Sequence, residues 1–154
     1  MNIPDLSQNL KSLLFKRYEW YEKELLISLE KQGDVSLTTA QARALAVLNG
    51  QSSSISALAR SLNISRQAAH KTVVRLIDLD WIKLEDSDKG NEKVITFTAH
   101  GQQMRGKMKE HMTRIENDIA QSIGAERYAV LVEVLNTDWD ALNNLAIPDD
   151  RPSL

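Results

Sequence analysis

The sequence predicts a mainly α fold with one small β-hairpin, and three observations predict it. Apolar residues recur at steps of three and four through most of the 154 residues, which is the period of an amphipathic helix. Period two appears clearly once, where Ile82/Leu84 and Ile95/Phe97 alternate with more polar neighbours, as half-buried strands do. Between these regimes, Ser56 to Leu62, Asn63-Ile64-Ser65 and Arg66 to Leu79 read as helix, three-residue turn and helix.

Each element has its own signal. Leu6, Leu10, Leu13, Leu14, Tyr18, Tyr21, Leu25 and Leu29 make the stripe of a long first helix that Gly33 closes. Leu37-Thr38-Thr39-Ala40-Gln41 opens the second, with Thr38 and Gln41 spaced as a capping box and Leu37 placed for a hydrophobic staple. This helix stops at Asn49-Gly50. Ser54-Ile55 reads as a one-bridge strand, and Ser56 as the cap of the next helix. In the turn, Asn63 stands where a left-handed backbone is needed, and Ser65 can cap the helix that starts at Arg66. On that helix Ala69, Thr72, Val73 and Leu76 share one face, with Ile77 at its edge. Gln67, His70, Lys71, Val74 and Arg75 take the other. Trp81 to Thr98 is a hairpin whose tip, Asp86 to Asn91, is rich in turn formers. Thr98 caps a helix of about 23 residues, roughly 35 Å long, with the stripe Met104, Met108, Met112, Ile115, Ile119 and Ile123. Gly124 breaks it. A last helix carries Tyr128, Leu131, Leu135, Trp139 and Leu142, and Pro148 to Leu154 reads as a frayed tail.

Charge is distributed unevenly. The chain carries −2 overall, with 19 basic and 21 acidic residues. Between Asp34 and Asp78 there is no acid, but Arg43, Arg60, Arg66, Lys71 and Arg75 are present. A helix-turn-helix in an acid-free stretch points to double-stranded DNA, with one helix lying across the duplex and the next in its major groove.

Other classes find no support. There are no cysteines, so disulfides, thiolate metal sites and thiol switches are excluded. His70, His100 and His111 do not form a metal-ligand spacing; the last two lie about 16 Å apart along one helix. No nucleophile elbow, phosphate-cradling glycine loop or His-Glu-x-x-His occurs, and the six glycines read as breaks between elements. An enzyme has no residues to stand on, and no cofactor is called for. No apolar run is long enough to span a membrane, and no signal peptide is read, so the chain is expected in the cytoplasm.

With these elements in place, the chain resembles the MarR family of winged helix-turn-helix transcription regulators. The resemblance is carried by Leu37-Thr38-x-x-Gln41, by Leu58-Ala59-x-x-Leu62-x-Ile64-Ser65-Arg66, by Arg75-Leu76-x-x-Leu79-x-Trp81-Ile82 and by Ile95-x-Phe97-Thr98-x-x-Gly101. It implies a homodimer on a pseudo-palindromic operator, usually a repressor released by a small molecule. Two departures stand out. The family's wing tip is built around Asp-x-Arg, whereas this chain reads Asp88-Lys89-Gly90-Asn91-Glu92-Lys93 with no arginine. The second helix of the motif carries His70 and Lys71, where many members have small hydroxyl residues and arginine. Lysine offers a point charge in place of a bidentate fork, so base selectivity should differ.

The expected organisation is a winged helix-turn-helix domain over residues 35–98, flanked by dimerisation helices at 1–34 and 99–147, with a flexible tail at 148–154. Apolar stripes without a sheet to cover are most simply buried in a second copy of the chain. Expected DNA-binding residues are Ser65, Arg66, Gln67, His70, Lys71 and Arg75, with Lys89 and Lys93 on the wing. A solvated helix face and a soluble hairpin tip are the competing readings. Gln67 and His70 fit base reading; Arg75 fits phosphate contact. Tyr18, Trp20 and Tyr21 could line a pocket for a small aromatic or phenolic effector, against which stands plain core or interface packing. The alternative function is a ligand-sensing or protein-binding adaptor on the same scaffold that has lost operator binding.

Overall fold

The computed structural model describes residues 5–87 and 93–139. Among these, six helices and three strands follow in the order α1 (Leu10–Lys31), α2 (Thr39–Leu48), β1 (Ser53–Ser54), α3 (Ile55–Leu62), α4 (Arg66–Asp78), β2 (Ile82–Asp86), β3 (Lys93–Phe97), α5 (Ala99–Ile123) and α6 (Ala125–Asn136). The chain divides into two compact units, the first ending at Ile115 and the second beginning at Glu116. No helix among the described residues is long and apolar enough to cross a membrane.

Local chemistry explains most boundaries. α1 begins at Leu10, not Leu6, because the Asn9 side chain accepts the Ser12 N–H at 3.0 Å. It ends before Gly33, whose φ is +70°. α2 opens on a complete capping box: Thr38 N–H donates to Gln41 Oε1 at 2.7 Å, and Gln41 N–H to Thr38 Oγ1 at 3.3 Å. It closes on Asn49 in the left-handed region. The α3 cap is Ser54, two residues before the expected Ser56; the Ser54 hydroxyl accepts the Ala57 N–H at 3.1 Å. The short strand is correspondingly Ser53–Ser54, in place of Ser54-Ile55. It joins the hairpin as a third antiparallel strand, in the order β1-β3-β2, with Ser53 opposite Ile95 and Ser54 opposite Val94.

The first unit is held by one core. Leu45, Leu48, Leu58, Val73, Leu76, Trp81, Ile82, Ile95 and Met104 are buried together, with Leu26, Ile55, Leu62, Leu84, Phe97 and Met108 packed at the margin. The hairpin alternation is the expected one: Ile82 and Ile95 are buried, and Lys83 and Lys93 exposed. α5 is attached to the wing by its first turn. The Thr98 hydroxyl donates to the Asp80 carbonyl and accepts the Gly101 N–H at 2.9 Å, while the Thr98 N–H donates to the Trp81 carbonyl at 3.1 Å.

Two sequence expectations about α5 are corrected. Its buried stripe runs Met104, His111 and Ile115, with Met108 half-buried, whereas Met112 is 37% exposed. That is the 3.6-residue period carried through a polar residue. Gly101 and Gly106 are not breaks; both lie inside α5, and at Gly101 an added Cβ would stand 1.9 Å from the Trp81 carbonyl oxygen. The expected break at Gly124 is present, with φ +95°. In the second unit α6 ends at Asn136, so Trp139 lies beyond it and its indole N–H donates to the Val134 carbonyl at 3.3 Å. Leu142 and the expected tail lie outside the described residues.

Candidate nucleic-acid interface

The interface is built from the turn outward. Asn63 takes φ 53° and ψ 45°, the left-handed conformation that its short side chain tolerates. Its N–H donates to the Arg60 carbonyl at 3.1 Å and that of Ile64 to Ala59 at 3.0 Å, so the turn gives two of the last α3 carbonyls their partners. Ser65 Oγ accepts the Ala68 N–H at 3.1 Å and starts α4. α4 is then pinned by its inward face: Ala69, Val73 and Leu76 are each 0% exposed. Thr72, expected on that face, is half-buried, and its hydroxyl donates back to the Ala68 carbonyl at 3.2 Å.

The opposite face is thereby forced outward. Arg66, Gln67, His70, Lys71 and Arg75 are all exposed on α4, as the wheel predicts. Arg75 stands 3.6 Å from Asp78, beyond hydrogen-bond distance, so no hydrogen bond to that carboxylate holds it in place. Arg66 and Lys71 enter no ion pair among the described residues. Arg43 is not part of this surface. It belongs to α2 and is held by α1, donating through Nε and Nη2 to the two Glu22 oxygens at 2.9 Å each, with its guanidinium 5.6 Å from the Tyr18 ring centroid. Absence of acid in the sequence around Arg43 did not disclose this long-range partner.

On the wing, Lys93 opens β3 directly across from Asp86. Lys89 lies outside the described residues. Lys83 Nζ is 2.5 Å from Glu85 Oε1, and the Thr96 hydroxyl donates to Glu85 Oε2 at 2.8 Å. The bond from Lys83, then that from Thr96, holds the Glu85 carboxyl below the usual carboxylate range.

The three candidate effector residues all lie on α1. Tyr18 lies 51% exposed beside Arg43, Trp20 is 42% exposed, and Tyr21 donates its hydroxyl to the Met112 carbonyl of α5 at 3.4 Å. A cleft of about 500 Å³ does lie between α1 and α2, walled by Glu19, Glu22, Leu26, Glu30, Leu37 and Arg43 among others, and none of the three aromatics lines it.

A buried polar network joins α5 to α1, and sequence reasoning missed it. His111 is 1% exposed, with Nδ1 2.6 Å from Ser28 Oγ of α1 and Nε2 2.9 Å from Asp34 Oδ2. Lys107 donates to the other Asp34 oxygen at 2.5 Å. Because the carboxylate can only accept, Nε2 donates to it, and Nδ1 is left to accept from the Ser28 hydroxyl when the ring carries one proton. The available signal was periodicity: residue 111 falls seven after Met104 and four before Ile115, and a polar residue on a buried face needs partners. No group of three or more metal-binding side chains occurs among the described residues.

A helix-turn-helix with a three-stranded wing and an outward cationic face defines the winged-helix class of DNA-binding folds. Residues 35–90 match the sequence model of the MarR family. Transcriptional regulator PA4135 shares 25% identity, with a TM-score of 0.67 over 83% of this chain and 93% of its own. The repressor CouR, solved bound to a 23-mer DNA duplex, shares 20% identity at a TM-score of 0.67, covering 88% and 95%. NadR in complex with 4-hydroxyphenylacetate shares 18% at 0.65, covering 88% and 95%. No curated protein sequence matches the chain. Over residues 35–90 the chain is therefore similar to the MarR family of winged-helix transcriptional regulators, and it shares the fold of these solved structures.

Proposed function

We propose that the chain is a sequence-specific regulator that binds a pseudo-palindromic operator as a homodimer, represses transcription in the cytoplasm and is released by a small aromatic or phenolic effector. The observation that carries this is the outward face of α4: Arg66, Gln67, His70, Lys71 and Arg75 exposed in one row, with no acid before Asp78. The DNA-bound form of CouR supports the duplex as partner, and the ligand of NadR supports the effector class. The effector cleft of this reading is the one beside Arg43, whose guanidinium could exchange the Glu22 carboxylate for that of an acid. Residues 35–98 form the reading head in this proposal, and the helices of 1–34 and 99–147 form the dimer.

Selection of bound sequences from a random duplex library, followed by titrations at two salt concentrations, tests the DNA reading. Replacing Gln67 by Ala should cost roughly 1–3 kcal/mol on the selected site and little on random duplex. Replacing Arg75 by Ala should weaken both about equally and lower the salt slope by about 0.9. The reverse assignment would refute this docking of α4, and no binding at all would favour the adaptor reading.

The dimer rests on exposed apolar side chains. Leu10, Leu13, Leu14 and Phe15 of α1 are 60%, 38%, 37% and 58% exposed in the single chain. α6 has no buried residue, and Val130, Leu131, Val134 and Leu135 are 43–56% exposed. Apolar surface on this scale marks an interface. Sedimentation equilibrium at micromolar concentration should return twice the chain mass, and a clean monomer would remove the two-half-site picture.

A further inference from the structure

The wing is the part of this fold expected to add cationic contacts to a duplex, yet its charge is cancelled from within. Residues 82–98 carry three cations, Lys83, Lys89 and Lys93, against four acids. Both described lysines face an acid. Lys93 stands opposite Asp86 in the ladder. Lys83 and Glu85 are two residues apart on β2 and so share its outer face. The Lys83 ammonium reaches Glu85 at 2.5 Å, and the carboxylate is held from the other strand by the Thr96 hydroxyl at 2.8 Å. The two side chains are 52% and 46% exposed, where an ion pair contributes little to stability. Its effect is on where the ammonium is. A lysine held by a carboxylate cannot release counterions from a phosphate without first breaking that pair.

We propose that Glu85 limits the affinity of the wing: it holds Lys83 there, away from the phosphate backbone of double-stranded DNA. Affinity for any duplex is lowered alike as a result, and discrimination is left to α4. This rests on the DNA reading above. A wing without arginine fits it, because every described wing cation is then answered by an acid.

The test uses the full chain as wild type, E85Q, K83Q and the double variant, titrated against a random-sequence duplex and the selected site at several salt concentrations. E85Q should bind random duplex roughly five-fold tighter at about 0.1 M salt, with a slope steeper by about 0.9, the signature of one added phosphate contact. K83Q should bind as wild type does, and adding it to E85Q should abolish the gain. The selected site should gain by about the same factor in E85Q, leaving the ratio of specific to random affinity unchanged, and both gains should be lost in the double variant. A gain of binding cannot come from misfolding. Wild-type binding with an unmoved E85Q overturns the proposal alone. So does a gain that survives in the double variant, since the carboxylate would then act by repulsion without Lys83. Failure of every form to bind any duplex overturns both this proposal and the DNA reading.

Discussion

Gly101→Ala is expected to lower stability by about 3 kcal/mol or more, at the top of the range for overpacking, although it adds a single methyl group. Gly101 is in the first turn of α5, and a Cβ there would lie 1.9 Å from the Trp81 carbonyl oxygen and 2.7 Å from its carbonyl carbon. Both atoms are backbone, so no rotamer change relieves the contact. The same carbonyl accepts the Thr98 N–H, and Trp81 is 1% exposed at the centre of the core. Relief therefore requires α5 to move off the wing. For a chain of this size the melting temperature should fall by about 6–12 °C in a thermal scan. Gly106→Ala, five residues further along the same helix, supplies the control. Nothing lies within 4 Å of its added Cβ, so better helix propensity should raise stability by about 0.5–1 kcal/mol. Equal effects of the two substitutions would show that the Trp81 contact does not govern how α5 is seated.

His111→Leu is expected to cost about 2–3 kcal/mol, read as a lower urea midpoint at unchanged slope. Leucine fills much of the ring's volume but returns neither the bond to Ser28 nor that to Asp34. These two bonds tie α5 to α1 and to the connector beyond Gly33. A midpoint equal to wild type would show that the buried polar contacts add no net stability. The same network sets an acid response. Asp34 is held below the usual carboxyl value of 3.8, first by the Lys107 hydrogen bond and then by that from His111. A depressed folded value means that this contribution is fully present above about pH 3.8 and is lost as pH falls through the lower folded value. Asp34→Asn should remove that part of the acid sensitivity and leave a shallower decline below about pH 3.8, measured by urea unfolding at stepped pH.

Much of the fold was legible because it rests on short-range chemistry. The capping box of Thr38 and Gln41, the left-handed Asn63, the Ser65 cap and the hairpin alternation each depend on residues within about four positions, and each is present in the structure. The misplaced α3 cap shows the limit of such reasoning. Ser54 and Ser56 are equally good caps by type, and pairing of Ser53 and Ser54 with β3, some forty residues away, selects between them. The α5 stripe shows another. Met112 is the more apolar residue, but His111 lies on the buried face, and hydrophobicity could not announce a polar residue whose partners come from 77 and 83 positions away.

By itself, then, the sequence determined which segments are helices, where the turn of the motif lies and which side of α4 is apolar, because periodicity and capping are properties of neighbouring residues. Tertiary structure decided which charges are available. Arg43 looked as available as Arg66 in an acid-free stretch, and the packing of α1 on α2 gave it to Glu22. Lys83 is held by Glu85, while Arg66 and Lys71 of α4 enter no ion pair among the described residues. How readily a charge meets a partner depends on what the fold has set beside it and how closely, and those distances are not contained in chain order.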